Sequence, residues 1–458
     1  MKKCAYKNLG CKVNAFELEA MKEQMEASGW ETVSFDSPAD VYVIHTCTVT
    51  NIADRKSRQM IRQARRQSPD AVVVAVGCSV QAAAARGAEE SAFSDADILI
   101  GTNRKTDLAS AVEKFLAERD GGERFGDEAG ADRAAGRRQL ASVCADIRAE
   151  RTYEEQEIRE SGEHCRAFIK VEDGCDRFCS YCGIPFARGP VRSRPFAAAV
   201  REAERLARTG VKELVLNGID LSSYAKDLPG QREGLADLVR AAAAADGIER
   251  VRLGSLEQSV ITEPFLAELA AVPEFCPQFH LSLQSGSDTV LARMNRHYTT
   301  AEYLEKCRLI RRFFPDAAVT TDIIAGFPQE TEEEFAETLA FVREAAFSRI
   351  HAFPYSRREG TNAAKMSGQL TERVKKDRCR QLIALGEELS RAYGERFSGR
   401  TVEVLCEEVV RTPGGVFTEG YTKEYVRAAL PGEHPVNGLV RAKAAEVEED
   451  GKLWLICE

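Results

Sequence analysis

The stretch KVEDGCDRFCSYCGIPFARG, Lys170–Gly189, places Cys175, Cys179 and Cys182 within eight residues. A C-x3-C-x2-C spacing wraps one loop around one centre. A structural zinc site takes four protein ligands in a tetrahedron, and thiolates hold iron–sulfur clusters, four of them in a complete cubane. Three thiolates would hold three irons and leave the fourth open to bind and activate another molecule. A zinc site completed by His164 or Cys165 is the alternative. Three unrelated core cysteines fit poorly, because DGCDRFCSYCG is too polar and too glycine-bounded for a core strand.

The rest of the chain sets the frame for that loop. At 458 residues it is too long for one core, so two to four domains are expected. No apolar run approaches the length that spans a bilayer, and the N-terminus lacks the apolar core of a signal peptide. A cytoplasmic protein with no membrane and no DNA partner is expected. In that compartment fourteen cysteines point to metal or catalysis rather than to a disulfide framework. The net charge of −9 means that any nucleic acid must be held by local basic patches.

Downstream of the loop, short apolar runs alternate with amphipathic segments. The runs are AFIKV, ELVLNG, RVRLGS, FHLSLQ, AVTTDIIAGF and RIHAFPYS. Such alternation predicts β/α units and a parallel sheet. In parallel barrels the chemistry sits at the carboxyl ends of the strands. The cysteine loop holds such a place, and so do Asn217–Asp220, Ser255–Ser259, Gln284–Asp288 and Gly326–Thr331. Each of these also reads as a plain strand-to-helix turn, and Thr331 with Glu334 has capping-box spacing.

Three further cysteines stand far apart. Cys11 follows AYKNLG, Cys47 follows DVYVIHT and Cys78 follows AVVVAVG, each at the exit of a predicted strand. In an open α/β sheet those exits share the ligand-binding edge. From position alone, a second metal centre and three buried structural cysteines both stay open.

With Tyr181 before its last cysteine, the loop resembles the signature of the radical S-adenosylmethionine superfamily. The resemblance implies a partial barrel of six β/α units, TIM-like in form. It also implies a [4Fe–4S] cluster on Cys175, Cys179 and Cys182 whose open iron binds S-adenosylmethionine and cleaves it to a 5′-deoxyadenosyl radical. Tyr181, Asn217, Gly218 and Gln284 are the candidates for contact with that cofactor. NLGCKVN, HTCTVT and GCSVQ, with GPVRSR, LSLQSGSDTVLARMNRHYT, DIIAGFPQETEEEF and FPYSRREGTNAAKM, resemble the methylthiotransferases over nearly the whole chain. That family implies a second [4Fe–4S] cluster on Cys11, Cys47 and Cys78. NLGCKVN with HTCTVTNIADRKSRQMIR is most similar to the branch acting on N6-threonylcarbamoyladenosine beside the tRNA anticodon, at position 37. Relatives acting on isopentenyladenosine tRNA or on an aspartate of a ribosomal protein are alternatives, as is a non-catalytic metal-containing RNA-binding protein. His45 stands where asparagine is usual and Ser79 where tyrosine is frequent.

The implied chemistry uses S-adenosylmethionine twice, once to methylate sulfur and once to make the radical. The adenine, splayed from its stack, would lie between two facing clusters. A tRNA substrate and an unidentified reducing protein are the expected partners.

The expected fold class is α/β, with a small β-barrel appended. An open parallel α/β domain is predicted over 1–118, a linker over 119–160 (glycine- and charge-rich in its first part), the barrel over 161–370, and a connecting helix over 371–396. Short alternating runs over 397–458 predict a small β-barrel, similar to the TRAM domain and to oligonucleotide-binding barrels. That last segment holds seven Lys/Arg against eleven Asp/Glu, so its bulk charge cannot neutralise phosphate. Lys423, with Tyr421, Tyr425 and Arg427, is its candidate RNA face. Arg55, Arg58 and Arg62 form a basic stripe at helical spacing. Arg188, Arg192 and Arg194 follow the radical loop, and Arg373, Lys375, Lys376, Arg378 and Arg380 crowd the late helix. The cysteines at 4, 144, 165, 276, 307, 379, 406 and 457 fall in no common pattern, and only Cys165 lies near a predicted site.

Overall fold

Strands β1 (Lys2–Asn8), β2 (Trp30–Val33), β3 (Val41–Thr46), β4 (Val72–Gly77), β5 (Ile98–Ile100) and β6 (Ala141–Val143) form one parallel sheet in the order β2-β1-β3-β4-β5-β6. The structure is a computed structural model and describes residues 2–121, 141–158, 165–413, 415–448 and 451–456. Every residue of β3 (VYVIHT) and β4 (VVVAVG) is buried. That is the signature of strands covered on both faces. The strand order reverses between β1 and β3, which makes their carboxyl ends the ligand-binding switch point.

The boundary at 118 needs correction, because β6 lies beyond it and pairs with β5. Its three residues, Ala141–Val143, are too few to carry a period in sequence. Nor are residues 144–158 a simple linker. Tyr153 is buried and donates to the Lys170 carbonyl at 2.7 Å, and Ile158 joins the barrel core. The rest of the predicted linker, 122–140 and 159–164, lies outside the described residues, and with it His164.

The barrel half holds six parallel positions. Strand β7 (Arg166–Lys170) pairs with β10 (Glu213–Asn217), which pairs with β11 (Arg250–Leu253). Then β12 (Ser255–Leu256), β13 (Gln278–Leu281), β14 (Ala318–Ala325) and β15 (Arg349–Pro354) continue in that order. A two-residue hairpin, β8 (Glu172–Asp173) with β9 (Arg192–Ser193), closes the neck of the cysteine loop. The run RVRLGS is thus split into β11 and β12 at Gly254, where a side chain would collide with the Asn217 amide. Helices connect these strands and bury Leu206, Leu238, Leu266 and Ile310 beneath them.

Both open edges of this sheet are covered, as unpaired edges generally are. The helix Lys12–Ala27 of the first sheet packs along β7 and inserts Phe16 and Ala20 into the barrel core. The helix Glu372–Glu395, capped by the Thr371 hydroxyl, covers β15.

The C-terminal strands β16 (Thr401–Thr412), β17 (Gly415–Thr422), β18 (Arg427–Pro431), β19 (Leu439–Val447) and β20 (Leu453–Ile456) close a barrel in the order β16-β17-β18-β20-β19. Only its β18–β20 pair is parallel. Among the described residues no helix is long and apolar enough to cross a membrane.

Candidate functional site

Cys11, Cys47 and Cys78 follow β1, β3 and β4, so the two strands of the switch point and their neighbour deliver all three to one edge. Cys11 caps the helix Lys12–Ala27 and is exposed, and its Sγ donates to Asn14 Oδ1 at 3.2 Å. Cys47 is buried before the helix Asn51–Gln67, and Cys78 is the first residue of the helix Cys78–Ala84. Gly77 enters that helix at φ 104°, and a Cβ there would lie 2.7 Å from the His45 ring. Burial pushes the Cys47 thiol up to about 12, with Cys78 and Cys11 adding to the rise. The Cys78 thiol is also raised, by burial against the pull of Arg188 and then by Glu17 and Cys11. The buried Cys47 and Cys78 thiols, each with Cys11 within electrostatic reach, thus resist ionising. A cationic centre is what reverses that penalty.

The second set sits at the exit of β7. Cys175 N donates to Gly189 O at 3.0 Å, and Cys182 N to Cys179 O at 3.0 Å, which folds the loop on itself. Residues 293–295 pin it: Ser180 N donates to Met294 O at 2.9 Å, Ser180 Oγ to Arg293 O at 2.8 Å, and Asn295 Nδ2 to Phe178 O at 3.0 Å. Two N–H groups point at sulfur. Arg296 Nη1 donates to Cys179 Sγ and Ile184 N to Cys182 Sγ, each at 3.4 Å. Such bonds to sulfur are among the levers that tune iron–sulfur centres. A cleft of about 230 Å³ opens beside Cys179, lined among others by Arg177, Glu257, Gln258 and Tyr298. Buried polar atoms without a protein partner cluster at the strand ends around it: Glu172 Oε1, Asn217 Nδ2 and Gln258 Oε1. Orphan polar atoms of this kind suit a polar ligand.

The two sets face each other. Cys182 is pushed up to about 12, chiefly by burial, and both Cys179 and Cys78 contribute. Cys78, Ala82 and Ala187 form one apolar contact across the junction. Beside it Arg188, on the helix Ile184–Arg188, reaches into the first sheet. Its Nε donates to Cys78 Sγ at 3.2 Å, Nη1 to Glu17 Oε1 at 2.7 Å and Asp173 Oδ1 at 2.9 Å, and Nη2 to Asn14 Oδ1 at 3.1 Å. Glu17 also accepts from Lys170 Nζ at 2.7 Å, and His45 bridges Asn14 and Glu17 at 2.7 and 3.1 Å. Burial alone would raise the Glu17 carboxyl, but Arg188, Lys105 and Lys170 hold it well below the usual carboxylate range. On the far side Arg358 donates to Asn51 Oδ1 at 2.7 Å and to the Thr48 hydroxyl. Ser79, the other departure from the family pattern, donates to Cys47 O at 2.8 Å and Asp54 Oδ1 at 2.5 Å.

Several predicted sites fall elsewhere. Cys165 precedes β7, so the five residues of that strand, roughly 16 Å, separate it from the cysteine loop. Among the described residues no group of three His, Cys, Asp or Glu is drawn together tightly enough for a single metal ion. Arg192 and Arg194 are fully buried and cannot meet RNA as placed. Arg192 lies beside Asp173, and Arg194 pairs with Glu155 and Glu202. Lys375 and Arg378 are likewise buried, with Arg378 on Glu330 at 2.6 Å.

Lys423 Nζ donates to Pro273 O at 2.8 Å, and Tyr421 stacks on Tyr425 at 4.6 Å beneath Arg166 and Arg252. That hairpin is therefore docked on the amino ends of the barrel strands, opposite the cysteines. Arg55, Arg58 and Arg62 stay on the surface, with Arg58 near Asp54 and Arg62 on Asp95. Tyr181 packs with Val290, Met294, Phe327 and Tyr355. Asn217 is buried next to Gly254 and Gly218 closes over Glu172. Gln284 takes φ 74°, and its backbone bridges Asp322 and Ile324. Glu17, Arg296 and Arg358 were missed because each gains its meaning only from partners distant in the chain.

Comparison with known proteins agrees with this arrangement. Residues 169–342 match the radical SAM superfamily, and residues 3–101 match uncharacterized protein family UPF0004. The threonylcarbamoyladenosine tRNA methylthiotransferase MtaB of Bacillus subtilis (strain 168) is 36% identical over 96% of this chain and 93% of its own. The protein of that name from Aquifex aeolicus (strain VF5) is 36% identical over 96% and 99%. A tRNA-2-methylthio-N(6)-dimethylallyladenosine synthase of Pelotomaculum thermopropionicum is 33% identical over 89% and 87%. Among solved structures, the radical S-adenosylmethionine methyltransferase TsrM of Kitasatospora setae shares the fold at TM-score 0.55, with 17% identity over 77% of this chain and 75% of its own. The superfamily brings S-adenosylmethionine and a [4Fe–4S] cluster with it. The chain belongs to the radical S-adenosylmethionine methylthiotransferases, in the threonylcarbamoyladenosine tRNA branch.

Proposed function

We propose that this chain transfers a methylthio group to C2 of N6-threonylcarbamoyladenosine in tRNA, using two [4Fe–4S] clusters. The observation that carries the reading is the meeting of the two cysteine sets, with Arg188 of one half bonded to Cys78 of the other. Cys175, Cys179 and Cys182 would hold the cluster that binds S-adenosylmethionine, and Cys11, Cys47 and Cys78 the second. Together these groups supply radical generation and a place for sulfur, chemistry that side chains alone lack.

The protein's own part is position and shielding. The loop bonds from residues 293–296 fix the first set, and the Glu17–Arg188 network fixes its distance from the second. The adenine C2–H bond carries little acidity, so placing C2 between two centres matters more than a general base. The surface arginines Arg55, Arg58 and Arg62 lie on the helix that follows Cys47 and would meet phosphates there. A separate reducing protein would supply electrons.

The test is mass spectrometry of tRNA nucleosides from cells with and without the gene. The 2-methylthio derivative of threonylcarbamoyladenosine should vanish on deletion and return on complementation. Loss of the isopentenyl derivative instead would overturn the substrate, and unchanged nucleosides would overturn the reaction.

A further inference from the structure

The barrel lumen carries a polar group that neither cysteine set uses. Along β13, β14 and β15, Phe279, Leu281, Val319, Ile323, Ile350 and Ala352 pack outward into the helix-covered core. Strand alternation therefore turns His280, Thr320, Asp322, His351 and Phe353 inward. Barrel interiors are ordinarily filled by layers of apolar side chains. Here the side chains stay open: Asp322 is 31% and Phe353 44% exposed.

His280 is fully engaged. Its Nδ1 meets Thr320 Oγ1 at 3.0 Å and its Nε2 meets Asp322 Oδ2 at 3.3 Å. His351 is different. It stands on β15 directly beside Asp322 in the strand pairing, with its ring 6.0 Å from that of His280, and its nitrogens meet no hydrogen-bond partner among the described residues. Lys12, the residue after Cys11, is exposed and lies within electrostatic range of His351, Arg166 and Arg252. The lumen thus offers a donor at His351, an acceptor at Asp322 and a cation at Lys12, one residue from the second cysteine set.

We propose that His351, Asp322 and Lys12 form the subsite for the N6 substituent of the target adenine, and that they select a polar, anionic, amino-acid-derived group over an apolar prenyl chain. This rests on the proposed tRNA reaction and adds to it the residues that read the substrate. A threonylcarbamoyl group carries urea N–H donors, a hydroxyl and a carboxylate. Asp322 accepts from the N–H or hydroxyl, while His351 and Lys12 donate to the carboxylate. Asp322 would repel that carboxylate, so the carboxylate end turns to Lys12 and the urea end to Asp322. A prenyl chain would return none of the hydrogen bonds that His351, Lys12 and the free oxygen of Asp322 make to the polar group, and a site built to hydrogen-bond its substrate rejects the analogue that lacks those groups.

The test uses the anaerobically reconstituted full chain and two synthetic anticodon stem-loops that differ only in carrying threonylcarbamoyl- or isopentenyladenosine. Binding is read by fluorescence anisotropy, with iron content and melting midpoint as controls. Wild type should prefer the threonylcarbamoyl RNA by roughly tenfold or more, the size of one charged hydrogen bond. His351→Leu and Lys12→Met should each erase most of that preference, and His351→Gln, which keeps a donor, should restore part of it. Lys12→Met, at an exposed position, carries the test should His351→Leu fold poorly. Wild-type preference with an unchanged ratio in the variants would overturn the subsite alone. A wild type that binds the isopentenyl RNA better would overturn the substrate reading beneath it.

Discussion

Arg188 Nε donates to Cys78 Sγ at 3.2 Å, so the helix that follows the radical loop ends on a thiol of the other sheet. The same guanidinium neutralises Glu17 and Asp173, both buried. Breaking such a group by removing one partner leaves uncompensated charge. Arg188→Ala should cost about 3–5 kcal/mol, read as a lowered melting midpoint. Arg188→Lys keeps the charge but not the fork that reaches sulfur and carboxylate together, so it should lose less stability.

The two cysteine sets separate by iron content. Cys78→Ala in the reconstituted protein should bind roughly four irons fewer than wild type, and Cys179→Ala should lose a similar number. Each should abolish the methylthio nucleoside. A Cys78→Ala protein with full iron and normal product would remove the second centre.

The RNA face can be divided by charge reversal. Arg55→Glu and Arg62→Glu should weaken tRNA binding and flatten its salt dependence by about one charge each. Arg192→Gln and Arg194→Gln should instead lower the melting midpoint, because each removes a cation from beside a buried carboxylate, Asp173 or Glu202.

That division marks where the sequence was readable. The six cysteines could be placed because three share one loop and three follow strand runs. The order of the barrel strands followed from their alternation with helices. The arginines of GPVRSR could not be placed, because charge in a sequence ordinarily signals a solvated face. Their carboxylates come from elsewhere, and Glu17 is 171 residues from Arg188. The hairpin at Tyr421 and Tyr425 misled for the same reason: the cations that cover it belong to β7 and β11. β6 escaped notice because three residues carry no period, and the lumen histidines because each is isolated in sequence.

A pH experiment tests the docking of the small barrel. Glu213, at the start of β10, accepts from Arg166 at 2.6 Å and Arg252 at 3.0 Å, and those arginines cover Tyr425. Burial raises the carboxyl, but Arg252 and Arg166 outweigh it and hold it at about 2. The ordinary glutamate value is about 4.3, so the difference amounts to about 3 kcal/mol. Because the folded value is depressed, that stability is present above about pH 5 and is lost as pH falls towards 2. Glu213→Gln lacks the titration. Its melting midpoint should lie below wild type at pH 7, and the gap should narrow as pH is lowered from 5 to 3. Parallel curves over that range would mean that Glu213 does not hold its charge between the two arginines.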